Sequence, residues 1–217
     1  MRVEQRQPLR FLSAVDSIEA RLSAPPITRP SLLLRLRDRG NHAAWSEFLK
    51  IYEPVIYRVA RRRMLQDADA REIVQEVLLR VAGAIERFDP EGAGSFRGWL
   101  SQTTRRVAVD RFRRMVNSEQ AIGGETEMLA NVLPTNSDAL ESEFDMEHRR
   151  QLFRCAAESI RPLVSEASWA AFWQTAVEDR SAGEVAQALG LRQGAVYVAR
   201  CRVLKRIREF IEEREAE

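Results

Sequence analysis

RSAGEVAQALGLRQGAVYVARCRVLKRIRE, residues 180–209, holds the pattern on which the fold turns. Ser181 stands three residues before Glu184, the arrangement of a capping box, in which a hydroxyl and a carboxylate satisfy the free amides at a helix start. Ala186 is small enough to admit a second helix, Gly190 supplies a tight turn, and Val196 is a branched apolar residue placed to lock the helix that follows. An alanine, a glycine four residues on and a branched apolar residue six after that is the spacing of a helix-turn-helix, whose second helix enters the DNA major groove. That helix carries Arg192, Gln193, Tyr197, Arg200, Arg202 and Lys205, donors for phosphates and base edges. A helical hairpin without a nucleic-acid role is the alternative, and the row of donors speaks against it.

Upstream, Trp169, Phe172 and Trp173 recur at helical spacing and read as core rather than as a base-stacking platform. From Asn117 to Glu147 there are eight acidic residues, no basic ones, a Gly-Gly pair and a proline, a composition that reads as a linker. On both sides the pattern is helical, with no period-two alternation bounded by turns. The expected architecture is all-α: two small helical domains, 31–116 and 148–214, joined by an acidic flexible linker at 117–147. In residues 1–30 a short amphipathic stretch, FLSAVDSIEARL, is stopped by SAPPITRP, and this part reads as a loosely ordered extension.

Two helices dominate the first domain. DADAREIVQEVLLRVAGAIERF, residues 67–88, places Asp69 three residues before Glu72, a second capping-box spacing, and the helix should run to about Arg87. Ile73, Val74, Val77, Leu78, Val81, Ile85 and Phe88 form its apolar stripe, leaving Glu72, Gln75, Glu76 and Leu79 on another side. That second stripe fits solvent or a basic partner helix, and periodicity alone does not choose. FRGWLSQTTRRVAVDRFRR, residues 96–114, carries six arginines and one acid. Leu100, Thr104, Val107, Ala108, Phe112 and then Met115 fall on one side of it, and Gln102, Arg105, Arg106, Val109 and Arg113 on the other. Taken alone, a basic helix of this kind is a solvated face.

Composition narrows the function. The 217 residues are 45% apolar with a formal net charge of +2, enough to build packed cores. Of the 34 basic residues only Lys50 and Lys205 are lysine, and guanidinium suits phosphate and carboxylate recognition. Cys155 and Cys201 form no CxxC pair, and His42 and His148 stand far from them and from each other, so no metal site or disulfide framework is indicated. No Ser/His/Asp set or glycine-rich phosphate loop is present, so no catalytic residues and no cofactor are expected. The apolar stretch near the N-terminus is broken by Asp16 and Glu19, unlike a signal peptide, and no run reaches membrane-spanning length; a cytoplasmic setting with no membrane partner is expected.

The order of these motifs resembles the extracytoplasmic-function (ECF) group of bacterial sigma factors, within the sigma-70 family. DADAREIVQEVLLRV is similar to the family's region 2.2, FDPEGAGSFRGWL to region 2.3, TTRRVAVDRFRR to region 2.4, and SAGEVAQALGLRQGAVYVARCRVLKRI to region 4.2. The resemblance implies a factor that binds core RNA polymerase, directs it to promoters and helps open the minus-10 region. Glu72, Gln75, Glu76 and Leu79 would dock on the polymerase beta-prime clamp helices, with the beta subunit a further contact. Phe96, Trp99, Gln102, Arg105, Arg106 and Arg113 would meet the minus-10 element and the melted non-template strand, with the loop from Asp89 to Ser95 shaping a pocket for a flipped base. Arg192, Gln193, Tyr197, Arg200, Arg202 and Lys205 would read the minus-35 element as duplex. An anti-sigma factor is a further partner the resemblance allows. Tyr197, Ala199, Arg200 and Arg106 depart from residues common in the family, so no promoter sequence can be carried over. A stand-alone helix-turn-helix repressor or activator is the alternative; it would want a ligand pocket or dimer surface where this chain has a second basic helix.

Overall fold

A computed structural model describes residues 28–63, 66–89, 95–118 and 137–216, and among these every regular element is helical. The chain divides into two compact bodies, one from Thr28 to His148 and the other containing Arg149 to Glu217. The extension expected at residues 1–30 and the linker expected at 117–147 fall largely outside the described residues.

In the first body, α1 (Pro30–Leu36) opens with proline, whose missing amide costs nothing at a helix start, and buries Leu32, Leu33 and Leu36. Next, α2 (His42–Arg61) is capped by Asn41, whose side chain accepts from the Ala44 amide at 3.0 Å. Its apolar stripe, Phe48, Ile51, Tyr52, Val55, Ile56, Val59 and Ala60, is buried. α3 (Asp67–Ala84) ends in a 3-10 turn at Ile85–Arg87, matching the expected stop, and inserts Ile73, Val74, Val77 and Val81 into the core. α4 (Phe96–Ser118) adds Leu100, Thr104, Val107, Ala108 and Phe112, the side expected to be buried; the Met115 side chain lies outside the described residues.

The capping box expected at Asp69 does not form. α3 starts earlier, after Gln66, and no side chain caps it. Asp69 lies within the first turn, is buried, and accepts from Arg111 Nη2 of α4 at 2.9 Å. A partner on a facing helix outcompetes the local amide because it neutralises a carboxylate the core would otherwise bury unpaired.

The acidic stretch is only in part what its composition suggested. From Ser137 it is helix: α5 (Ser137–Ile160) carries residues of both bodies. Within the first body Leu140 and Phe144 are buried and His148 stacks on Tyr52 at 5.1 Å between ring centroids. The acids between them hold arginines. Glu147, 1% exposed, accepts from Arg58 Nε at 2.7 Å and from Arg62 Nη2 at 2.5 Å. Glu143 accepts from Arg62 Nη1 at 2.9 Å and also from Arg63. Asp145 takes Arg97 Nε at 2.6 Å. The charges that suggested a solvated linker are thus the docking groups of a helix.

In the second body, α6 (Glu166–Ala176) is capped by Ser165, and α7 (Ala182–Leu189) and α8 (Gln193–Ala216) follow. The capping box at Ser181 and Glu184 forms in full, with both reciprocal bonds made. Gly190 has φ 63° and ψ 30°, the left-handed turn that favours glycine, and Leu191 donates back to the Ala186 carbonyl at 2.9 Å. Ala171, Val185, Ala186, Val196 and Ala199 form the core where the helices meet, with Val203, Ile207 and Ile211 buried further along α8.

Candidate nucleic-acid and protein interfaces

On α3 the second stripe is presented as a surface. Leu79 is 71% exposed, and Gln75 is exposed beside it. Glu72 pairs with Arg111 Nη1 at 2.5 Å, and Glu76 with Arg80 Nε at 3.2 Å, one helical turn on. Arg80 also lies 3.5 Å from Asp110. Both carboxylates keep about half their area in water, so they remain open to a partner cation while being held in place. One face of α3 thus presents an exposed leucine, an amide and two half-exposed carboxylates together.

α4 sorts the residues expected to meet single-stranded DNA into two groups. Phe96 is 4% exposed, wedged between Phe48, Tyr52, Phe88 and Trp99 at 5.3–6.1 Å. It is core, and the expectation that it contacts DNA is corrected. An aromatic at the start of a helix buries more apolar area against four other rings than it could expose to a base. Trp99 is half-buried, packed on Phe88 at 5.5 Å and on Phe96 at 5.6 Å, and part of its ring stays accessible. Gln102 is half-buried. Arg106 and Arg113 are exposed on the same side of the helix. Arg105 is half-buried, and its Nε has no hydrogen-bond partner. Of the loop from Asp89 to Ser95, residues 90–94 lie outside the described residues.

Arg97 and Arg111, both in the basic stretch, are held by carboxylates of the same body and belong to its structure. Sequence reading missed this division. The signal was present in the opposing acids, but only knowledge of which helices face each other could pair them.

Arg192, just before α8, and Gln193, Tyr197, Arg202 and Lys205 on it are exposed, and Arg200 is half-buried. Lys205 reaches Glu209 at 3.6 Å, while Arg206 Nη1 donates to the Leu163 carbonyl at 2.7 Å and is thereby tied to its own body. Val198, 48% exposed, was not among the expected contacts, although a helical wheel places it on the outward side. Of the aromatic trio upstream, Phe172 is fully buried. Trp169 and Trp173 are only half-buried, stacked at 5.8 Å, and with Arg161, Ala170, Gln174 and Glu178 they line an open cleft of ≈ 340 Å³.

Ser181 holds the Glu184 carboxyl below its ordinary value by hydrogen bonds from its hydroxyl and its amide. Among the described residues no cluster of His, Cys, Asp and Glu is placed to hold a metal. No described helix is long and apolar enough to cross a membrane.

Residues 48–116, which span α3 and α4 and most of α2, match the family model for Sigma-70 region 2. The ECF RNA polymerase sigma factor SigE of Mycolicibacterium smegmatis (strain ATCC 700084 / mc(2)155) is 30% identical over 77 residues, which make up 36% of this chain and 29% of that protein. The matched stretch therefore spans less than a third of the curated relative.

Proposed function

We infer that this chain, which matches Sigma-70 region 2 over residues 48–116, belongs to the sigma-70 family and acts as an ECF sigma factor. It binds core RNA polymerase, brings it to specific promoters and helps open the minus-10 region. The observation that carries the reading is the match of residues 48–116 to Sigma-70 region 2. The helix-turn-helix of the separate second body supports it.

In this reading Leu79, with Glu72, Gln75 and Glu76 around it, docks on the beta-prime clamp helices. The apolar side chain supplies desolvated contact area, and the two carboxylates select a basic partner. Trp99, Gln102, Arg105, Arg106 and Arg113 meet the minus-10 element: guanidinium groups hold the strand while the accessible part of the Trp99 ring stacks on a base. Arg192, Gln193, Tyr197, Arg200, Arg202 and Lys205 hold α8 in the major groove of the minus-35 element. The chain works in the cytoplasm, where polymerase and promoter are. It does no covalent chemistry of its own.

Run-off transcription with purified core polymerase on genomic fragments tests this. Start sites that appear only when the chain is added are the expected result. A chain that binds duplex DNA tightly on its own, and core polymerase not at all, is a stand-alone regulator instead.

A further inference from the structure

Viewed down α8, the buried residues Val196, Ala199, Val203 and Ile207 mark one side, and the line opposite them is Gly194, Val198, Cys201 and Lys205, all exposed. The donors expected to read bases do not occupy the first three places of this line. Arg192 and Gln193 precede it, and Tyr197 and Arg202 flank it on either side. The centre of the outward face is therefore a backbone, a branched aliphatic side chain and a thiol. A methyl group added at Gly194 would meet nothing of this protein within 4 Å, so the space in front of it is open to whatever the helix approaches.

A helix that enters the major groove turns its outward line toward the base edges, where thymine alone among the bases presents a methyl group. An aliphatic side chain there gains by burying that methyl and offers no donor to guanine or acceptor to cytosine. We propose that Val198 is a specificity-determining residue of the second body. It packs on a thymine C5-methyl in the duplex, while the missing side chain at Gly194 lets the helix come close enough for that contact. The flanking Arg192, Gln193, Arg202 and Lys205 position the helix, holding phosphates or neighbouring base edges. The inference rests on the DNA-reading role proposed for this body and deepens it by naming the chemical group that is read.

The probe is a pool of labelled duplexes with a short randomised block, selected by the full chain bound to core polymerase. Each selected duplex is then remade with deoxyuridine replacing thymidine, one position at a time, which removes only the methyl. The wild-type chain should bind one such duplex about fourfold more weakly, the effect of exposing one buried methyl. Val198→Ala should bind the thymidine and deoxyuridine forms alike. Val198→Thr, which keeps one of the two γ-methyls, should restore part of the difference, and binding of the deoxyuridine duplex by Val198→Ala as tightly as by the wild-type chain shows that the alanine variant is folded. Two results overturn the proposal while leaving the proposed function standing: duplexes are selected but no deoxyuridine position matters, or Val198→Ala keeps the full difference. If no duplex sequence is enriched at all, the DNA-reading role of the second body falls, and this inference with it.

Discussion

A carboxylate at a helix start behaves according to what faces it, as Glu184 and Asp69 show. Glu184 finds the Ser181 amide and hydroxyl, and these bonds lower its pKa from the ordinary value. A carboxyl depressed in the folded state stabilises fully above its unfolded pKa, and that stability is lost as pH falls through the folded value. α7 should therefore loosen on acidification below the ordinary carboxylate range. An NMR titration of the Glu184 side chain should give a midpoint below that of an exposed glutamate, and Glu184→Gln should remove this component of the pH dependence. A midpoint at the ordinary value would show that the capping box is not populated in solution. Asp69 has the same sequence spacing to Glu72 but spends its charge on Arg111. The two motifs are alike in sequence; the difference lies in the neighbouring helix, which sequence spacing does not report. Phe96 was misjudged for the same reason, since the rings of Phe48, Tyr52 and Phe88 that enclose it come from elsewhere in the chain.

Helices themselves were legible. The stripes of α3 and α4 were readable because a period of 3.6 sorts residues into faces, and the buried face needs no further information. The turn at Gly190 was readable because its left-handed conformation demands a particular residue. What an exposed face does is another matter, and α3 offers the cleaner test. Leu79 is so exposed that its removal takes almost nothing from the folded core. Leu79→Ser should change stability by less than about 0.5 kcal/mol. It should weaken binding to core polymerase by more than about 1 kcal/mol, some fivefold or more. Thermal melting and a fluorescence titration with core polymerase measure the two effects. Binding that survives intact would move the docking face off α3. Charge reversal at Glu76 is less clean, since it also breaks the pair with Arg80.

At the scale of the molecule the division into two helical bodies agrees with the reading of an all-α chain, but the first body reaches His148 rather than ending near residue 116. Composition misled because acidic residues were scored as solvated, whereas here they are spaced to meet arginines on α2 and α4. Leu140 and Phe144, the apolar residues between the acids, were too few to show as a pattern. Phe144→Ala should cost the first body about 3–5 kcal/mol, the range for emptying a phenylalanine site in a core. Hydrogen exchange should then speed up in α2 and α4 and stay unchanged in α7. No change in exchange would mean that α5 is not seated on this body in solution. The seated acids also alter how the body meets a polyanion. Arg58, Arg62, Arg63 and Arg97 already have carboxylate partners, so a phosphate must displace one of these before it can gain a contact. Counterion release on binding a single strand should then be governed by Arg105, Arg106 and Arg113, at about 0.7 in the slope of log affinity against log salt for each phosphate held. Arg106→Gln and Arg113→Gln should each flatten that slope by about this amount in the polymerase complex, and Arg62→Gln should leave it where it was.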